Sequence, residues 1–442
     1  MCIRSRPSRW LAGLMVVLLA AISACSSGSA RTPSSSGGVV HLTFWSWVPN
    51  IANAVSLFNS AHKNIQVTLD TIPTGSNGGY AKMLDAVKAG NPPCAAQVEY
   101  QEIPTFLLQN ALVNIKPWVA SSQSLFVPWQ WNQGVYNGSV YAVPQASGPM
   151  ALYYRKDVFS RDGIVTPPRT WAQYAQDAAI IHSHAPHAYI TTFPVPDSAW
   201  YTALAWQAGT KWFGTSGDHW TVNIANAASQ RVAGYWYGLV KKGMVKTEND
   251  FTSAWYKDLQ DGGVVTWISA SWGDAILRQN APNTAGNWAV APMPQWASSG
   301  FAASNWGGSS TAVLRGCPDP QAAAQFAVWL NTNARSINLL VTDGYGWPAV
   351  PSVSSIPSVT GNPKVFSFYG GQNINAVFQQ ADQNINESWG WIPNVQTTYD
   401  ALDSAFASAA NGNGTFASAL TSAQRQTVAS LSGAGLKVTS GP

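Results

Sequence analysis

The chain has 442 residues, of which 10% are charged (24 Lys and Arg against 20 Asp and Glu), and it carries 22 Trp, 15 Tyr and 15 Phe. That length fits two or three domains, so many rings exclude a disordered chain, and the near-even charge balance excludes a polybasic nucleic-acid binder. Recognition by such a chain has to rest on rings and neutral hydrogen bonds.

Arg4, Arg6 and Arg9 precede an apolar run over residues 10–22. The run is short for a membrane span and right for a signal-peptide core. It ends in Ile22-Ser23-Ala24-Cys25, followed by Ser26 and Ser27. Small residues before a Cys at that edge resemble the lipobox of bacterial lipoproteins, in which Cys25 becomes the lipidated first residue. Ordinary secretory cleavage after Ala24 or Ala30 is the alternative. Residues 1–24 then form the leader, and 25–38, rich in Ser and Gly, form a flexible tether. No later segment reaches the 18 apolar residues needed to span a bilayer.

Strand and helix periods alternate next. Leu42 and Phe44 share one face of a strand over 41–45. Pro49-Asn50 opens a helix with Ile51, Ala54, Val55 and Phe58 on one stripe. Ile65, Val67 and Leu69 alternate as a second strand. Tyr80, Met83, Leu84 and Val87 make another helical stripe, stopped by Gly90 and Pro92-Pro93, and 95–100 reads as a third strand. This order predicts a parallel α/β sheet, with ligand beyond the carboxyl ends of its strands. Short strands follow at 141–144 and 151–154, and helices at 171–181 and 226–240. A strand at 264–268 leads to Trp272-Gly273. A strand at 311–314, a helix at 320–330 and a turn-rich break at 343–348 close the legible part.

Most catalytic signatures are absent: there is no phosphate-binding G-x-x-x-x-G-K-[ST], no H-E-x-x-H, no C-x-x-C and no G-x-S-x-G. His182, His184 and His187 lie in a Pro-containing stretch with no Cys or carboxylate beside them, which favours a solvated loop over a metal site. Glu99 and Glu102 are three apart and invite comparison with the carboxylate pair of glycosidases. A hydrogen-bond acceptor or surface charge is the plainer reading of either. The tryptophans say more. For any single one, the core is the better expectation. Trp45, Trp47, Trp272, Trp306, Trp347, Trp389 and Trp391, however, stand beside Gly, Ser, Asn and Pro rather than in periodic runs. Ring planes suit the C–H face of a pyranose, and neutral polar groups suit its hydroxyls.

Several stretches together resemble the extracellular solute-binding proteins (family 1) of carbohydrate ABC importers, the group that includes maltose-binding protein. They are Leu42-Thr43-Phe44-Trp45-Ser46-Trp47, Gly79-Tyr80-Ala81-Lys82-Met83 and its continuation to Gly90, and Gln97-Val98-Glu99-Tyr100-Gln101. Val140 to Gln145 with Tyr153-Tyr154-Arg155-Lys156-Asp157, Trp306-Gly307-Gly308-Ser309, and residues 322–330 complete the set. The resemblance implies an α/β, two-lobed periplasmic-binding-protein-like fold (type II) with the ligand cleft between the lobes. Lobe I would hold 39–145 and 306–343, and lobe II 146–305 and 344–442. Carried onto matching positions, the ligand-binding residues are Trp45, Trp47, Glu99, Tyr100, Gln101, Gln145, Trp272, Trp306, Gly307 and Gly308, with Tyr345, Trp347, Trp389 and Trp391 as further members. Relatives often have an Asp where this chain has Ala146, and another where it has Cys94. The resemblance also implies that a returning strand lies antiparallel to the third strand of lobe I. Cys94 and Cys317 then meet in a disulfide at the edge away from the cleft. The expected protein is a monomeric, non-enzymatic binder of a neutral sugar. It is lipid-anchored at the outer face of the membrane and works with ABC permease subunits, without cofactor, metal or nucleic acid. A secreted carbohydrate-active enzyme with aromatic subsites and a surface adhesin are the competing readings.

Overall fold

Alternation along the first strand sets the first layer. The computed structural model describes residues 38–442 except Gly217, Ser298, Asp343, Tyr345 and Pro442. Cys25 and Tyr345 therefore lie outside the described residues. Nine strands position the site: β1 (Val40–Ser46), β2 (Ile65–Thr71), β3 (Ala95–Glu99), β4 (Ala142–Ser147), β5 (Met150–Arg155), β6 (Thr266–Ala270), β7 (Trp288–Pro292), β8 (Ser309–Val313) and β9 (Trp347–Pro348). Leu42, Phe44 and Ser46 face the interior of β1, while Thr43 is exposed, as a period of two requires. The helix Ile51–Ala61 buries Ile51, Ala54, Val55 and Phe58, its predicted stripe. Asn50 precedes it with φ 58°, a left-handed conformation that Asn tolerates.

The first sheet has the order β9-β4-β8-β3-β1-β2. β1 runs parallel to β2 along its whole length and parallel to β3 at Phe44–Ala95 and Trp45–Ala96. β8 is antiparallel to both β3 and β4, and β9 is antiparallel to β4. The predicted parallel trio is thus one part of a mixed sheet, as the resemblance implied for the returning strand. β4 runs through Gln145 to Ser147, and β9 also joins this sheet, so it extends past the expected switch points at 145 and 343. The second sheet has β5 at its centre between β6 and β7, both antiparallel.

The chain passes between the sheets at residues 148–149 and 304–308. These passages pair with each other: the amide of Met150 donates to the Ser304 carbonyl (3.0 Å) and that of Trp306 to the Gly148 carbonyl (2.9 Å). Asn305 clasps them, its Oδ1 accepting from the Gly148 amide (2.6 Å) and its Nδ2 donating to the Gly307 carbonyl (2.6 Å). A Cβ on Gly148 would stand 2.1 Å from the Trp306 carbonyl oxygen, so no side chain fits there.

Cys94, just before β3, and Cys317, just after β8, form a disulfide with Cα atoms 4.5 Å apart and a sequence separation of 223. The Leu314 amide donates to the Cys94 carbonyl, which continues the β3–β8 ladder up to the bridge. Most tryptophans are core. Trp171, Trp200, Trp206, Trp212, Trp236, Trp255 and Trp288 are essentially inaccessible. Among the described residues no helix is long and apolar enough to cross a membrane.

Candidate ligand-binding site

The carboxyl ends of β1, β3 and β4 open into a cavity of about 930 Å³, closed from the other side by segments around the second sheet. Of the expected ligand residues, Trp47, Glu99, Gln101, Trp272, Trp306, Gly307, Gly308 and Trp391 line it. The polar wall is braced through Gln97. Its Oε1 accepts from Ser46 Oγ (2.7 Å) and from the Trp47 amide (3.2 Å), and its Nε2 donates to Ser309 Oγ (2.9 Å). Tyr80 packs edge-on to Trp47 at 5.8 Å and donates its hydroxyl to Glu99. The facing wall is aromatic. Trp272 and Trp306 lie 4.7 Å apart, and the Trp272 indole N–H donates to the Trp306 carbonyl (3.1 Å), which fixes that ring.

Five expected residues do not line the cavity. Trp45 sits on the face of β1 opposite Phe44 and Ser46. There its indole donates to Asp70 (2.9 Å) beneath the Lys82 ammonium. Tyr100 is buried under Gly308, where a Cβ would meet its ring at 2.9 Å. Gln145 is buried at the irregular β4–β8 register, its amide without a protein partner. Trp347 is buried in β9. Trp389 is buried because it stacks on Trp206 (5.0 Å, 13°), behind Trp391. Gly, Ser, Asn and Pro neighbours in the sequence had pointed to a loop position for Trp347 and Trp389, whereas packing buries both. His182 and His184 close the helix Trp171–His184 rather than forming a loop, and His184 faces Asp162 at 3.5 Å.

The sequence reading missed several wall residues. The helix Val395–Ala410 presents Gln396, Tyr399 and Asp403 on one face. Asp197 caps the helix Ser198–Gln207, accepting from the Trp200 amide (3.1 Å), and Asp403 accepts from the Ser198 amide (2.9 Å). Both carboxylates thus sit at a helix N-terminus, where negative charge is favoured. Phe251 and Asn305 also line the cavity.

Four carboxyl groups line this space, Glu99, Glu102, Asp197 and Asp403, and among the described lining residues there is no Lys, Arg or His. Burial dominates their titration. It pushes Glu102 up to about 7, with a hydrogen bond from Thr105 opposing and the Glu99 charge adding. Burial likewise pushes Asp197 up to about 7 and Asp403 up to about 6, and it raises Glu99. A site of this kind resists further negative charge. It offers rings, carboxylate acceptors and amide groups to an uncharged, hydroxyl-rich molecule.

Two α/β sheets joined by paired crossings around one ligand-sized cavity define a two-lobed solute receptor. The bacterial extracellular solute-binding protein model matches residues 46–335, and the chain belongs to that family. An arabinooligosaccharide-binding protein of Halalkalibacterium halodurans is 22% identical over 79% of this chain and 80% of its own length. A lactose-binding protein of Rhizobium radiobacter is 23% identical over 54% of this chain and 56% of its own. Among solved structures, a galacto-N-biose/lacto-N-biose I-binding protein of an ABC transporter from Bifidobacterium longum superposes with TM-score 0.82. It is 24% identical, covering 91% of this chain and all of that one. At that identity the likeness speaks for the fold.

Proposed function

We propose that this chain is the lipid-anchored substrate-binding component of an ABC importer and captures a neutral mono- or oligosaccharide without changing it. The observation that carries this reading is the pairing of a carboxylate-and-amide wall with a wall of aromatic rings around a cavity of about 930 Å³. That volume is at the upper end for small-molecule sites, which favours more than one sugar unit. Rings take the apolar sugar faces, while carboxylates and Gln101 take the hydroxyls. The uncompensated carboxylates speak against uronates and sugar phosphates. Relatives bearing sugar names, one with a structure described as part of an ABC transporter, support the same reading. Lobe I is taken as the part around the first sheet and lobe II as the part around the second, and Cys25 as the lipidated anchor at the outer face of the membrane.

Calorimetry of the purified domain against neutral, acidic and amino sugars, peptides and polyamines tests the ligand class. Neutral sugars should bind and shift Trp emission. Binding of a peptide or polyamine alone would replace the sugar reading. Release of a shortened sugar would replace the binding reading with an enzyme that uses Glu99 and Glu102. Loss of membrane association on Cys25→Ser tests the anchor.

A further inference from the structure

Five described non-glycine residues have positive φ, and four of them, Asn50, Asn110, Asn137 and Asn394, are of a type that tolerates it. The fifth is Phe251, at φ 57°. A bulky aromatic residue there is a conformational outlier that the surroundings must hold in place. Phe251 is also 39% exposed, in a chain that hides most of its rings. It lines the cavity, and its ring centroid lies 6.2 Å from Trp272 and 6.1 Å from Trp306. Backbone strain and ring exposure are thus both spent at one position, and that position faces the cavity.

We infer that Phe251 is a specificity-determining residue. Its ring completes a platform with Trp272 and Trp306 on which the C–H face of one glycosyl unit stacks, and the left-handed backbone is retained because it aims that ring. This rests on the sugar-binding reading. A local role competes with it. Phe251 precedes Thr252, the cap of the helix Ser253–Asp261, and packs at 5.6 Å against Trp255, so it also resembles a staple at a helix entry. The two roles predict opposite signs. A staple lost in Phe251→Gly lowers stability and leaves affinity alone. A strained platform ring lost in Phe251→Gly leaves the melting temperature unchanged or raised, because glycine adopts positive φ freely, and weakens binding.

The test uses the whole mature chain. Wild type, Phe251→Gly, Phe251→Leu and Phe251→Tyr are titrated with each neutral sugar that wild type binds, and each is melted without ligand. The expected result is a loss of affinity of about tenfold or more for Gly and Leu, unequal between sugars, with rescue by Tyr and no fall in melting temperature for Gly. Affinity within twofold of wild type in Leu overturns the inference. So does a fall in melting temperature for Gly with affinity kept, which assigns the staple. A wild type that binds none of the sugars overturns the sugar reading and this inference together, whereas wild-type binding with an unaffected Leu variant overturns this inference alone.

Discussion

The two walls of the cavity are held by different physics. Around β1 and β3 the wall is a hydrogen-bonded brace in which the buried Gln97 ties Ser46, Trp47 and Ser309 together. Across from it, Trp272, Trp306 and Phe251 are held by ring packing, with the single Trp272–Trp306 hydrogen bond as an anchor. Directional bonds fix positions to fractions of an ångström and cost heavily when one partner is lost. Ring contacts are softer and can adapt to the ligand. The comparison teaches that folding and recognition are divided unevenly: substitutions in the brace should damage both, and substitutions among the rings should damage recognition alone.

The largest expected effect belongs to neither wall and calibrates both. Replacing Cys94 and Cys317 by Ser opens a 223-residue separation. It should cost stability of up to about 5 kcal/mol on the chain-entropy estimate, with sugar affinity unchanged. Chemical denaturation and calorimetry on the same variant check both halves, and an altered affinity would show that the far edge of the first sheet communicates with the cavity.

Next comes pH. The folded Glu102 titrates at about 7, above its ordinary 4.5, so the folded state holds a proton that the unfolded state has released. Stability is therefore greatest below about 4.5 with respect to this group and falls as pH rises to about 7. The loss for Glu102 is on the order of 3 kcal/mol. Asp197 and Asp403 carry the same sign. The melting temperature of the ligand-free protein should drop between pH 5 and pH 8, and Glu102→Gln should flatten that drop. A rise with pH in wild type would refute the buried-carboxyl account.

Gln97→Ala should then cost about 2 to 3 kcal/mol of stability, because it strands two hydroxyls and an amide in a buried site, and sugar affinity should fall with it. Stability lost without affinity would separate the brace from recognition. Trp272→Ala should weaken sugar binding by about 2 kcal/mol, roughly thirtyfold, with a smaller change in melting temperature. If the melting temperature falls steeply and affinity holds, Trp272 belongs to the core and the aromatic wall loses its anchor.

The brace side was also the legible side in sequence. Leu42 with Phe44 and the Ile51 stripe fix a strand and a helix locally, and the strand read over 95–100 puts Glu99 near the end of another, as Trp47 follows the end of the first. The helices Val395–Ala410 and Phe416–Gly433 escaped because Ala, Ser and Thr dilute their stripes, Val395, Tyr399, Leu402 and Phe406 in one and Phe416, Leu420 and Leu431 in the other. Tyr399, Asp403 and Asp197 escaped with them, since they reach the cavity from segments about 200 residues apart that meet only in the fold. Trp389 misled because its Gly-, Ser- and Asn-rich setting reads as surface, while its stacking on Trp206 is invisible along the chain. Phe251 left no periodic signal, since its significance lies in a backbone angle.

The strand order of the first sheet imposes a timetable. β8 lies between β4 and β3, yet it is made about 160 residues after the first and 210 after the second. A chain emerging from its N-terminus can pair β1, β2 and β3 early, but β3 and β4 keep open edges until residue 313 has arrived. Such long-range closure is slow, and open strand edges invite pairing with other chains. A nascent chain or fragment that stops short of β8 therefore presents two unsatisfied edges at once, and the sheet becomes safe from such encounters only when its last-made interior strand slides between them.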